Sequence, residues 1–305
     1  MMYESRLPLA DTELAVITSF SPCRESMQQG KLIPISDAER RRPTLLFLHG
    51  WHDNAASFAV LFEPLAASFN LVAVDWPGHG LSAHRQTDNY YYFMDYVDDL
   101  AQIVQSLSSQ NLMLVGHSLG ALVAAAFAGA FPESVTGLVL IEGLAPLHES
   151  AELAPERLRQ GIESRMRRRQ RQGAEFKLDS FQAALSVRCR VNGLTPEQLR
   201  PLVQRATYTD GKHWYWRHDD KLRCDSLFRM TKEQAKALMQ HIECPVLSVI
   251  GDKGFSYLRE PDAGLSWLKQ AGQIVVPGGH HCHLESPQLI CDQILLLSSK
   301  INKLV

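Results

Sequence analysis

The chain has 305 residues, with 31 Lys+Arg against 33 Asp+Glu for a formal charge of −2, and is 45% hydrophobic and 21% charged. That apolar content excludes a disordered chain, and the balanced charge speaks against a nucleic-acid binder, which carries a basic excess. No stretch has the length of a membrane span, the longest uncharged apolar one being residues 119–131, and the acids Glu4 and Asp11 interrupt any secretory leader.

Along the chain, residues 4–20 suggest antiparallel edge strands. Short apolar runs rich in β-branched residues then recur at 44–48, 71–74, 112–115, 138–141, 246–250 and 273–276. Near-continuous apolar runs of this length read as strands buried on both faces, hence a parallel sheet. Helical patterns lie between them at 55–69, 94–107, 121–131 and 258–270. Strand and helix in alternation predict a doubly wound α/β fold. The rhythm breaks at about Pro146 and resumes at Cys244. Residues 147–240 therefore read as a helical cap inserted into a core made of 1–146 and 241–305. Six scattered cysteines without a CxxC pair point to neither a disulfide framework nor a zinc ribbon, so a reducing, cytoplasmic setting is expected.

The chemistry concentrates in two places. Gly116-His117-Ser118-Leu119-Gly120 is a G-x-S-x-G between an apolar run and a small-residue helix. That strand–turn–helix setting is what a nucleophile elbow requires, because the turn must lift the serine hydroxyl above the sheet. An activated serine needs a base, and the loop after the last strand carries His280, His281 and His283. The residues alone leave the choice among the three open. A metal reading of this loop with Cys282 is disfavoured, since one short loop rarely aims four ligands at one ion.

The chain resembles the α/β-hydrolase fold superfamily, and most closely the serine hydrolase-like protein family. The resemblance rests on LLFLHGWHDNAASF (45–58), AVDWPGHGLS (73–82), LVGHSLG (114–120), LVLIEGLAP (138–146), DGKHWYWRHDDKLR (210–223) and GGHHCHLESP (278–287). It implies a mostly parallel sheet with an inserted cap, Ser118 as nucleophile and, from the spacing to Glu285 and Pro287, His280 as base. The amides of Trp51 and Leu119 would form the oxyanion hole. Most superfamily members carry the acid at the position held here by Gly254. The other position the superfamily uses holds Glu142, which is preferred, with Asp252 as the alternative. Asp75, at a strand end, reads as a brace for the 77–80 turn. Trp51, His52 and Trp214 are candidate substrate contacts, and the arginine run from Arg157 to Arg171 reads as a solvated helix face.

The resulting expectation is a serine hydrolase acting on a small ester, thioester or related acyl compound. It needs no organic cofactor and no metal, and binds neither nucleic acid nor membrane. The alternatives are a cofactor-free oxygenase, lyase or haloperoxidase-like enzyme on the same fold, or a small-molecule binding protein without turnover. Oligomeric state is not readable from these residues.

Overall fold

The computed structural model describes residues 2–303 except 87, 108, 172–176, 261 and 262. Ten strands are present among them: β1 (Tyr3–Pro8), β2 (Glu13–Thr18), β3 (Thr44–Leu48), β4 (Asn70–Val74), β5 (Leu112–His117), β6 (Gly137–Ile141), β7 (Thr207–Thr209), β8 (Trp214–Trp216), β9 (Val246–Gly251) and β10 (Ala271–Val276). Eight form one sheet in the order β1-β2-β4-β3-β5-β6-β9-β10. The pair β1–β2 and the pair β2–β4 are antiparallel, and every later pairing is parallel. The central strands β3, β4, β5, β6 and β9 are buried along their whole length, which is why their sequences are continuous apolar runs.

Eleven helices accompany the sheet: α1 (Arg24–Gln28), α2 (Asp37–Arg40), α3 (Ala59–Leu65), α4 (Phe93–Leu107), α5 (Leu119–Ala130), α6 (Ala154–Gln170), α7 (Phe181–Asn192), α8 (Pro196–Ala206), α9 (Lys232–His241), α10 (Cys282–Glu285) and α11 (Pro287–Ile301). On one face of the sheet, Tyr96, Leu100 and Ile103 of α4 pack with Val123 and Phe127 of α5 and Met239 of α9. On the other, Leu61 and Leu65 of α3 meet Ile290 and Ile294 of α11. Helices on both faces of a mostly parallel sheet make the doubly wound architecture the sequence predicts.

Two predicted helices come out differently. The 55–69 pattern begins as a 3-10 turn at Ala55–Phe58 before α3. The 258–270 pattern forms only short 3-10 turns at Ser256–Arg259 and Leu265–Trp267, because Gly264 adopts φ 107° and ends any helix there.

Between β6 and β9 the chain runs through α6 to α9 and the small β7–β8 hairpin, a strand pair the charged sequence did not announce. Helices α7 and α8 enclose a small apolar core of their own, with Leu185, Leu199, Leu202 and Val203. Among the described residues no helix is long and apolar enough to cross a membrane.

Candidate active site

Strand β5 passes into α5 through a single residue, Ser118, at φ 49° and ψ −117°. A non-glycine residue there costs on the order of 1–3 kcal/mol, so the surroundings must enforce it. Ser118 N–H donates to Ile141 O at 2.9 Å, and α5 packs so tightly that a Cβ on Gly120 would lie 1.9 Å from Leu48 O. The described residues contain three non-glycine positions of positive φ: His52, Ser118 and Glu142. All three belong to this one site, and backbone strain of this kind gathers where geometry matters.

Glu142 closes β6, nearly fully buried. Its Oε1 accepts from Gly251 N–H at 2.7 Å and its Oε2 from Phe255 N–H at 3.0 Å, while Oε2 lies 3.3 Å from His280 Nδ1. Burial opposes ionisation, yet the imidazole and the two amides outweigh it and hold the carboxyl below its ordinary range. A Cβ on Gly254 would sit 2.0 Å from Glu142 Oε1. Position 254 lacks a side chain because the β6 carboxylate already fills that space.

Asp252 is placed otherwise. Its Oδ1 accepts from Gly278 N–H at 2.8 Å and so ties down the loop that carries His280. Glu285 Oε2 braces the same loop through Gly279 N–H at 2.6 Å. The His280 ring rests against Phe255 with centroids 4.3 Å apart.

Trp51 follows Gly50, whose backbone passes close enough to Ser118 and His117 that a side chain there would touch both. Among the described residues the amides of Trp51 and Leu119 have no backbone acceptor, as the first N–H of a helix normally has none. Ser118 Oγ likewise has no hydrogen-bond partner among them, an arrangement common before substrate tightens a catalytic pair.

Ser118 stands between two cavities. One, of about 570 Å³, is lined by Trp51, His52, Arg188, Trp216, His218 and His280. The other, of about 450 Å³, is walled by Tyr91, Phe93, Tyr96, Leu119, Leu122 and Phe228. Trp51 borders both. Trp214 points elsewhere, its ring tilted against Phe181 with centroids 5.5 Å apart, and Trp216 two residues on lines the cavity. His52 and His218 meet edge to face at 4.6 Å. Burial, together with Arg188 and Arg223, lowers His52 to about 4. Burial, His52 and the same arginines lower His218 to about 3.

Beneath the first cavity lies a polar cluster that sequence reasoning did not assemble. Arg188 donates to Asp53 Oδ1 at 2.6 Å, and Asp53 Oδ2 lies 3.0 Å from His281 Nε2. His117 Nε2–H donates to His280 O at 2.8 Å, and His283 pairs with Ser57 at 2.7 Å. Asp53 and His117 stand inside quoted motifs, but Arg188 is an unremarkable helix residue with no sequence signal. Asp75 braces its turn as expected, taking Leu81 N–H at 2.7 Å, and also holds Arg205 of α8 at 2.9 Å.

The alpha/beta hydrolase fold family model matches residues 43–287, so the chain belongs to that family and is an enzyme of the hydrolase class. The serine hydrolase-like protein of Danio rerio is 27% identical over 264 residues, covering 83% of this chain and 80% of its own. An esterase of Mycobacterium tuberculosis is 29% identical over 228 residues, 69% of this chain and 73% of its own. A crystal structure of a hypothetical protein from Pseudomonas aeruginosa superimposes with a TM-score of 0.80 at 31% identity, covering 96% of this chain and 97% of that one.

Proposed function

We propose that the chain hydrolyses small esters or thioesters through an acyl-enzyme on Ser118. The observation that carries this reading is the Glu142–His280 contact at 3.3 Å beside a serine held on a strained elbow. Glu142 fixes the imidazole with Nδ1–H toward its carboxylate, which leaves Nε2 free to take the Ser118 proton as Oγ attacks the acyl carbon. The amides of Trp51 and Leu119 receive the oxyanion. His280 then passes its proton to the leaving group, and water attacks the acyl-enzyme with His280 again as base. Asp252 holds the loop and takes no part in the proton path.

The aromatic cavity suits an apolar acyl chain, and the cavity with Arg188 and His218 suits a polar leaving group, both within the usual size range of ligand pockets. The substrate partner is thus a small acyl compound. Six free cysteines agree with a cytoplasmic setting.

The test is intact-protein mass after exposure to a small fluorophosphonate. One adduct on the wild type, absent from Ser118→Ala and His280→Ala, is expected. A folded wild type that takes no adduct removes this mechanism and leaves hydrolysis by a route that does not acylate Ser118.

A further inference from the structure

Three side chains from separate parts of the chain converge under the leaving-group cavity: Asp53 in the loop after β3, His117 at the end of β5 and His281 in the loop after β10. One ligand atom from each lies within 4.8 Å of the others. Asp53 Oδ2 is 3.0 Å from His281 Nε2 and 3.6 Å from His117 Nδ1. A tetrahedral zinc ion with bonds of about 2.0–2.1 Å keeps its ligand atoms roughly 3.3 Å apart, and the two spacings to Asp53 Oδ2 fall on either side of that value. All three residues are buried, yet each lines the cavity wall, which gives an ion a way in and leaves one coordination position facing the cavity.

His117 supplies the independent observation. Its Nε2 faces the carbonyl oxygen of His280, which only accepts, so Nε2 carries the hydrogen. The ring is fully buried. Nδ1 points at Asp53 Oδ2, 3.6 Å away. It has no hydrogen-bond partner within reach. A buried ring nitrogen and a carboxylate oxygen thus lie side by side beyond hydrogen-bond distance, and one ion held between them satisfies both.

We propose that Asp53 Oδ2, His117 Nδ1 and His281 Nε2 bind one divalent transition-metal ion of the zinc class. Two imidazoles and one carboxylate match such ions better than calcium or magnesium, which prefer oxygen alone. Each ligand also has an outer partner that orients it, as metal ligands generally do. His280 O holds His117, and Arg188 holds the other oxygen of Asp53 at 2.6 Å. Asn192 Nδ2 lies 3.3 Å from the His281 ring nitrogens while its Oδ1 is unpartnered. That amide lies against the ring, and a neutral His281 with its hydrogen on Nδ1 frees Nε2 for the ion. The donors differ from the loop cluster considered in the sequence: Cys282 faces the sheet core and His283 is held by Ser57. Bound there, the ion staples the His280 loop to the elbow beneath Ser118.

The test is binding of Zn²⁺ to the EDTA-stripped full chain, read by competition with a chromogenic chelator, and of Co²⁺, read by its visible absorption. One equivalent per chain with the intense bands of four-coordinate cobalt is expected. His281→Gln should weaken Zn²⁺ by more than about 100-fold, and Asn192→Ala, an outer partner on the edge of α7, by about 10- to 100-fold. His283→Gln, in the same cluster but held by Ser57, should stay within about threefold of wild type, and melting curves confirm that each variant is folded. Ser118→Ala should bind as wild type does, so the site stands or falls apart from the hydrolytic mechanism. Zn²⁺ affinity no better than millimolar in the wild type, or equal in wild type and Asn192→Ala, overturns the assignment.

Discussion

Strand β5 is buried over all six residues, the first four of them by apolar packing, whereas the segment between β6 and α9 meets the sheet through buried charges. Arg205 of α8 reaches Asp75 at the end of β4, and Arg188 of α7 reaches Asp53 after β3. Asp219, beyond β8, accepts from Tyr91 Oη at 2.7 Å. Apolar burial is non-directional and tolerates rearrangement, while an ion pair out of water is stable only in one geometry. The sheet therefore supplies the rigid chemistry, and three acids set where the stretch between β6 and α9 sits over the cavities.

Separating chemistry from position predicts that the largest loss of activity comes with little loss of stability. Glu142→Gln should lower kcat by about 10⁴, the scale seen when a triad carboxylate becomes an amide, because the amide fails to hold His280 in the required tautomer. It should cost only about 1 kcal/mol of stability, one of two amide contacts being weakened. Steady-state hydrolysis and chemical denaturation read the two effects. Gly254→Asp alone should be destabilising, since its Cβ meets Glu142 Oε1 at 2.0 Å. Combined with Glu142→Ala it should recover part of the lost rate by supplying a carboxylate from the β9 side. No recovery in a folded double variant would mean that the strained β6 position is itself required.

Arg205→Met inverts the pattern. Asp75 is fully buried, and loss of its cation leaves a charge uncompensated apart from the amides of Ala55 and Leu81. The expected cost is about 3–5 kcal/mol in denaturant unfolding. A cost below about 1 kcal/mol would show that apolar contact, not charge, holds α8 down.

The next effect is a pH dependence of stability on the cavity rim. His52 and His218 have folded-state values lowered from 6.5 to about 4 and about 3. Between about pH 6.5 and 4 the unfolded chain binds protons that the folded chain refuses. Stability should therefore fall on acidification through that window, by up to about 1.4 kcal/mol per pH unit for each histidine. Denaturation at pH 7, 5.5 and 4.5 measures the slope, and His218→Gln should shrink it by up to one proton. An unchanged slope in that variant would place the uptake on the deeper histidines instead.

The same division decides what was legible in the sequence. Strand runs such as 44–48 and 246–250 were readable because burial on both faces leaves a continuous apolar signature, and Ser118 because an elbow needs small residues around it. Glu142 was readable as a charged residue ending a buried strand. The partners of Asp53 were not, because Arg188 lies 135 residues away and His281 another 93 beyond it, and ion pairs impose no periodicity. Trp214 and Trp216 share a strand face, and only the position of the hairpin decides which one reaches the cavity.

The smallest predicted effect bears on the acid itself. Asp252 uses one oxygen, Oδ1, as the acceptor for Gly278 N–H. Asparagine keeps an oxygen at that place, so Asp252→Asn preserves the tie on the His280 loop while removing the charge. If Glu142 alone serves His280, kcat should remain within about threefold of wild type, against the roughly 10⁴-fold drop of Glu142→Gln. Asp252→Ala, which deletes the tie as well, should lower kcat more than the asparagine does, through a loosened loop. A drop in Asp252→Asn comparable to that of Glu142→Gln would transfer the acid to the β9 loop, and the vacancy at Gly254 would then need another cause than the carboxylate that fills it.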